Sequence, residues 1–267
     1  MANEPNWISV GDLAEGFAPD SNILPLCYDL AGETLELVFE DGHKQHLTIE
    51  RNGNEQFIKE SGHQPLAVRV TSLRQDLYFV DFLAGHYSTT LVVDRASGQV
   101  LRVKGAMPSA QETEKSLLTR AAEGLPLTAV KVEFYKGHIA GKQGQEGFQR
   151  TKELIGKRIR YRYSPTELYE HIYLNDSFYT WHCIKGVEAG LADTDLCHFF
   201  KLREQLYLFV WQEKIVPTLG VVTIDLEKNK TDGKIFGHSG FNSGQFANFS
   251  VGAYANFANY TPSPDAA

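Results

Sequence analysis

Cysteine is scarce in this chain. Cys27, Cys183 and Cys197 are the three in 267 residues, and they show no CxxC spacing. An odd, scattered set excludes a disulfide framework and a zinc knuckle, leaving reduced structural thiols as the expectation. Long apolar runs are also missing: none approaches the roughly 18 residues of a membrane span. Basic residues are in deficit, 26 Lys and Arg against 33 Asp and Glu, for a formal net charge of −7. That balance argues against nucleic acid and anionic membrane, since a polyphosphate needs a basic face. There is no P-loop, no GxSxG and no dinucleotide fingerprint, so nucleotide-dependent chemistry is not expected. The opening MANEPNWISVGDLAEG lacks the basic n-region and apolar core of a signal peptide, which gives a cytoplasmic expectation.

Aromatics are plentiful instead. The 12 Tyr and 16 Phe exceed what a soluble core of this size needs. Such interiors suit barrels and flat ligands. The chain also repeats itself. Leu30-x-Gly32-x-x-Leu35-x-Leu37-x-Phe39 recurs as Leu154-x-Gly156-x-x-Ile159-x-Tyr161-x-Tyr163. Further on, Leu77–Phe82, followed by Asp94 and Gly98, resembles Leu206–Trp211, followed by Asp225 and Gly233. Matches that keep their order with a small drift in spacing are the mark of duplicated domains with unequal loops.

Period-two alternation marks strands. Ile159, Tyr161 and Tyr163 share one face while Arg158, Arg160 and Arg162 share the other, the in/out pattern of an antiparallel sheet with one wet side. Asp41-Gly42 is a hairpin signal. The fold class expected is therefore all-β: two tandem lipocalin-like, calycin-type antiparallel barrels with a connecting helix. That helix is expected over Glu112–Ala122, opened by the capping box Ser109-Ala-Gln-Glu112 and stopped by Gly124. The expected domains are 1–140 and 151–267, joined by a linker over Gly137–Gln149. The stretch from Gly240 onward, rich in Asn, Gly and aromatics, reads as an irregular tail.

The second unit carries the chemistry. Glu213 shares a face with Tyr207, Phe209 and Trp211, so its carboxylate is expected inside an aromatic interior, where desolvation raises its pKa toward neutrality and suits it to acid/base work. If the strand phase slips near Pro217, the residue lies at the rim. Tyr161 and Tyr163 are a candidate donor pair for one oxygen, or else core aromatics with hydroxyls at the barrel mouth. Tyr169, Glu170, His171 and Tyr173 crowd the next strand, where either parity puts a titratable group inside. His171, His182, His198 and His238 lie on separate strands without His-x-His spacing, so no metal is expected. In the first unit Leu37 and Phe39 replace the tyrosine pair and Ala84 or a neighbour replaces Glu213. Asp81, His86 and His46 are polar candidates there, but a structural or interface role is expected for that half.

The run from Leu154 to Leu226 resembles the C-terminal domain of the MoaF family, called molybdenum cofactor biosynthesis protein F, and the first unit resembles its N-terminal domain. The same run resembles the phenolic acid decarboxylases, lipocalin-like barrels that act without cofactor. The shared elements are Tyr161-x-Tyr163, Tyr169-Glu170, Asn175-Asp176, Gly186-x-x-x-Gly190, Val210-Trp211-x-Glu213 and Gly233-x-Ile235-Phe236. That likeness implies oxygen-holding roles for Tyr161 and Tyr163 and proton transfer by Glu213. It departs at Leu191, where that family has its essential arginine; Lys185 or Arg203 would have to replace that cation.

The expected function is cofactor-free acid/base chemistry on a phenolic compound, of lyase, dehydratase, isomerase or cyclase type through a quinone-methide-like intermediate. Glu213, Tyr161 and Tyr163 are the catalytic candidates; Tyr169, Glu170, Trp181, His182, Tyr207, Phe209 and Trp211 are the substrate-binding ones. Alternatives are a non-catalytic lipocalin-like binding protein and an accessory factor of molybdenum cofactor biosynthesis. Expected partners are a small aromatic ligand and, as the candidate assembly, a homodimer, with no nucleic acid and no membrane.

Overall fold

The computed structural model describes residues 6–17, 21–142, 147–241 and 244–262. The first half runs α1 (Val10–Phe17), β1 (Thr34–Phe39), β2 (Lys44–Asn52), β3 (Glu55–Glu60), β4 (Leu66–Arg74), β5 (Leu77–Ala84), β6 (Tyr87–Asp94), β7 (Gln99–Ala106), α2 (Ala110–Glu114), α3 (Leu117–Ala122) and β8 (Lys131–Ile139). The second runs β9 (Gln149–Arg150), β10 (Lys157–Arg162), β11 (Leu168–Tyr173), β12 (Phe178–Lys185), β13 (Ala192–Arg203), β14 (Leu206–Glu213), β15 (Thr218–Asp225), β16 (Lys230–His238) and β17 (Phe246–Tyr260).

Strands β1 to β8 bond in chain order and close on β1, making one antiparallel barrel. Strands β10 to β17 do the same, with β17 closing on β10. The protein is thus all-β, two tandem eight-stranded up-and-down barrels, the architecture that removes sheet edges by full closure.

The duplication is visible in the backbone. Gly32 and Gly156 sit at φ +83° and +82°, and their amides donate to Ile49 and Tyr173. A side chain would be strained at either position, and buried Leu30 and Leu154 anchor the turns. At the next pair of turns Asp76 and Gln205 take the left-handed conformation, and Asp94 and Asp225 each cap the following loop through backbone amides. The counterpart of Gly98 is Asn229, at φ +51° just before β16, rather than Gly233, which lies mid-strand. Asn tolerates that conformation, so the signature was spelled by a different residue.

Three expectations are corrected. The connecting helix is two short ones, because Ser116 breaks the run to cap α3 by accepting from the Thr119 amide, as Ser109 caps α2. Glu112 does not complete its capping box but pairs with Arg120 at 3.2 Å. The linker begins later than Gly137, since Gly137 and Ile139 pair with Phe39 and Leu37 in the first barrel; residues 143–146 lie outside the described residues. The C-terminal stretch is β17, whose Val251, Ala253 and Ala255 face the core. Its small inward side chains and Asn-rich outer face hid the alternation; residues 242–243 and 263–267 lie outside the described residues.

The sequence reading passed over α1. Its start is a reciprocal cap: the Asp12 amide donates to Ser9 Oγ at 3.1 Å and the Ser9 amide to Asp12 Oδ2 at 3.3 Å. Val10, Leu13 and Phe17 form its apolar stripe. The compact units interleave along the chain, Met1–Ile23, Met107–Lys131 and Arg150–Ala267 forming one, Leu24–Ala106 and Val132–Gln149 the other. Although α1 comes first in sequence, its stripe packs on the second barrel.

Candidate functional site

The second barrel holds a cavity of about 30 Å³. Leu13 and Phe17 of α1, Tyr163 just beyond β10, Tyr169 and His171 of β11, Tyr179 and Trp181 of β12, Trp211 and Glu213 of β14, Ile235 of β16 and Glu188 line it. Period two explains the set, since 169/171, 179/181 and 211/213 are same-face pairs. Around them Tyr173, Phe199 and Phe209 extend a continuous aromatic core, with Phe209 stacked on Trp211 at 5.2 Å.

Phe17 meets Tyr163 edge-on at 4.9 Å and Tyr169 at 5.6 Å, so the helix forms part of the cavity wall. Gly16 lets it seat: a Cβ there would fall 2.6 Å from Val187, on the loop that carries Glu188.

Two carboxyls face this apolar space. Glu213 Oε1 accepts from Trp211 Nε1 at 2.8 Å. Burial lifts Glu213 well above the usual carboxylate range, and the negative charges of Asp195 and Glu188 add to it. Glu188 accepts from the Tyr169 hydroxyl at 3.0 Å; burial pushes it up to about 7, although that hydrogen bond pulls the other way. His171 sits among Tyr161, Tyr179, Phe209 and Trp211, and burial lowers its pKa to about 3, so the ring is neutral. Its Nδ1 has no hydrogen-bond partner among the described residues.

Of the sequence candidates, Glu213, Tyr163, Tyr169, Trp181 and Trp211 line the cavity together. Tyr161 does not: its hydroxyl shares a hydrogen bond with Tyr173 at 2.7 Å in the layer beneath, so the two tyrosines do not converge on one oxygen. Phe209 lies in the same packed layer, and Tyr207 donates instead to Glu153 at 2.7 Å. Glu170 is on the opposite face of β11, bound by Arg158 at 2.5 Å and Arg160 at 2.9 Å, with His182 as its cross-strand partner. Glu188 is the residue sequence reasoning missed; its signal was an acidic residue inside the Gly186-x-x-x-Gly190 loop. The loop bends so that the Leu191 amide bonds the Glu188 carbonyl at 2.9 Å.

Among the described residues no lysine or arginine lines the cavity. Lys185 Nζ donates to the Pro165 carbonyl on the exposed side, and Leu191 takes the place of the arginine expected from the decarboxylases. Among the described residues no group of three or more His, Cys, Asp or Glu is placed to hold a metal ion.

Two family models match this chain, the MoaF N-terminal domain over residues 5–109 and the MoaF C-terminal domain over residues 148–261. Protein MoaF of Klebsiella aerogenes is 43% identical over 265 residues, 98% of each chain. A solved Burkholderia vietnamiensis structure, provisionally described as a beta-lactamase, superposes on 41% of this chain and all of its own at a TM-score of 0.34 and 16% identity, too loosely to inform the site. With both barrels matched in order and a relative similar from end to end, the chain belongs to the MoaF family.

Proposed function

We propose that the second barrel is the chamber of a cofactor-independent enzyme that moves protons on a small neutral aromatic compound of phenol type. The observation carrying this reading is the pair Glu188 and Glu213, two carboxyls held above their ordinary pKa in one aromatic cavity. Carboxyls with separated environments divide into an acid and a base. Glu188, poised near 7, takes the phenol proton; Glu213, retained as the carboxylic acid, protonates the leaving group. Electrons pushed from the phenolate through the ring expel that group as a neutral molecule and leave a quinone methide, which is lyase or dehydratase chemistry. His171 and the Tyr163 hydroxyl, both lining the cavity, supply polar contacts for the substrate oxygen.

The lining supports a neutral substrate over a carboxylate, because among the described residues it holds two acidic groups and no lysine or arginine. Entry requires α1 to move, since about 30 Å³ holds little more than a water.

The test is Glu213→Gln, assayed by absorbance across a panel of 4-hydroxyphenyl compounds carrying a benzylic leaving group. Turnover by the wild type that falls about a hundredfold in the variant, with binding retained, is expected; unchanged turnover overturns the reading. The carrier alternative is distinguished by a Glu213 that titrates in the ordinary carboxylate range. The accessory role suggested by the family name is distinguished by deletion: molybdoenzymes that fail without the gene and recover with the Glu213→Gln form favour it.

A further inference from the structure

The first barrel, for which a structural or interface role is expected, contains a larger cavity than the second. Its volume is about 680 Å³, within the range that drug-sized ligands occupy. Leu47, Ile58, Leu66 and Phe82 contribute apolar surface, while two cations, Arg102 and Lys104, project from one face of β7. Arg102 is held between the rings of Phe39 and Tyr135, each 4.2 Å from its guanidinium carbon, so its orientation is fixed. Lys104 lies over the ring of Tyr87 at 3.9 Å.

Neither cation is in an ion pair among the described residues, although the charges of Asp41, Glu133 and Glu60 reach Arg102. The guanidinium has one polar contact, Nη1 to Gln45 Oε1 at 3.5 Å, and its Nε is buried without a partner among the described residues. Asp41 and Glu60 also line the cavity, with His43 and His63, yet no carboxylate among the described residues lies within ion-pair distance of Arg102 or Lys104. Glu60 is engaged by Gln45 Nε2 at 3.5 Å. A half-buried cation stacked between aromatics, with a single polar contact and no ion pair, has donors left for an anion.

The duplication sharpens the point. By strand alignment Gly233 and Ile235 of β16 hold the places of Arg102 and Lys104, just as Ala84 holds the place of Glu213. Each barrel has what the other lacks. We infer that the first barrel is a second, separate ligand site, binding an organic carboxylate whose apolar body packs on Leu47, Ile58, Leu66 and Phe82 while its anionic head meets Arg102 and Lys104.

The experiment uses the full chain and 8-anilinonaphthalene-1-sulfonate as a fluorescent probe, displaced by 3-phenylpropionate or by the uncharged 3-phenylpropan-1-ol. Saturable probe binding is expected, displaced by the carboxylate and not by the alcohol. Arg102→Gln with Lys104→Gln is expected to weaken 3-phenylpropionate about tenfold or more, whereas Glu213→Gln leaves it unchanged. Equal displacement by the alcohol overturns the inference. So does undiminished affinity in the double variant, or a loss that follows Glu213→Gln instead. Near-ultraviolet circular dichroism checks the fold; should the double variant not fold, Lys104→Gln alone is expected to lose about threefold, and no loss there overturns the inference equally.

Discussion

The Tyr169 hydroxyl donates to Glu188 Oε2 at 3.0 Å, joining a strand residue to the Gly186–Gly190 loop in the wall of the second cavity. Because burial raises Glu188 from 4.5 to about 7, the folded state holds its proton longer than the unfolded chain does. Stability from this group is complete below pH 4.5 and is lost as pH rises to about 7. The loss is roughly 3 kcal/mol if fully expressed. Glu188→Gln is therefore expected to gain on the wild type as pH rises through that window, measured by urea unfolding; a difference independent of pH would contradict it.

His171 tilts the balance in the opposite sense. Its pKa falls from 6.5 to about 3 in the barrel, so below pH 6.5 the unfolded chain takes up a proton that the folded one refuses. Stability is present above 6.5 and drains as pH falls toward 3. Between pH 4.5 and 6.5 the slopes of Glu188 and His171 cancel in the wild type. His171→Phe should unmask the Glu188 slope, and Glu188→Gln the His171 slope, in the same denaturation series.

Phe17 lines the second cavity, and the proposed function requires it to move for entry. Trimming it to Ala removes the ring that meets Tyr163 and Tyr169, at a cost of about 3 kcal/mol, typical of a buried Phe. The same change enlarges the cavity, so phenol binding by calorimetry should strengthen even as the melting temperature falls. A chain shortened past residue 17 should bind at least as well. Weaker binding in both would show that the helix contributes contacts rather than closure.

Glu170 should behave as a structural residue. Glu170→Gln leaves Arg158 and Arg160 without their shared anion, and a loss of about 1–2 kcal/mol is expected with ligand affinity unchanged. Because those arginines hold its pKa below 4.5, against the burial that raises it, the wild-type advantage is present above that pH and fades on acidification. A substrate effect at neutral pH would return Glu170 to the site.

The sequence by itself determined the architecture. Period-two alternation and repeated turn glycines are local signals, fixed by backbone sterics and by which face of a strand meets the core, so both barrels are legible in the sequence alone. Same-face reasoning also placed Glu213 with Trp211, because neighbours two apart on a strand must share a side. Only the tertiary structure decided what closes the barrels and what faces what across them. Phe17 reaches Tyr163 over about 145 positions of chain, a relation no local period encodes. Glu188 enters through the course of a loop, which side-chain alternation does not describe. Tyr161 left the site because depth along the barrel axis, set by strand register, buried its hydroxyl against Tyr173. Arg102 shows the same limit: alternation on β7 places it on the inward face, but what surrounds its guanidinium depends on side chains from six other strands.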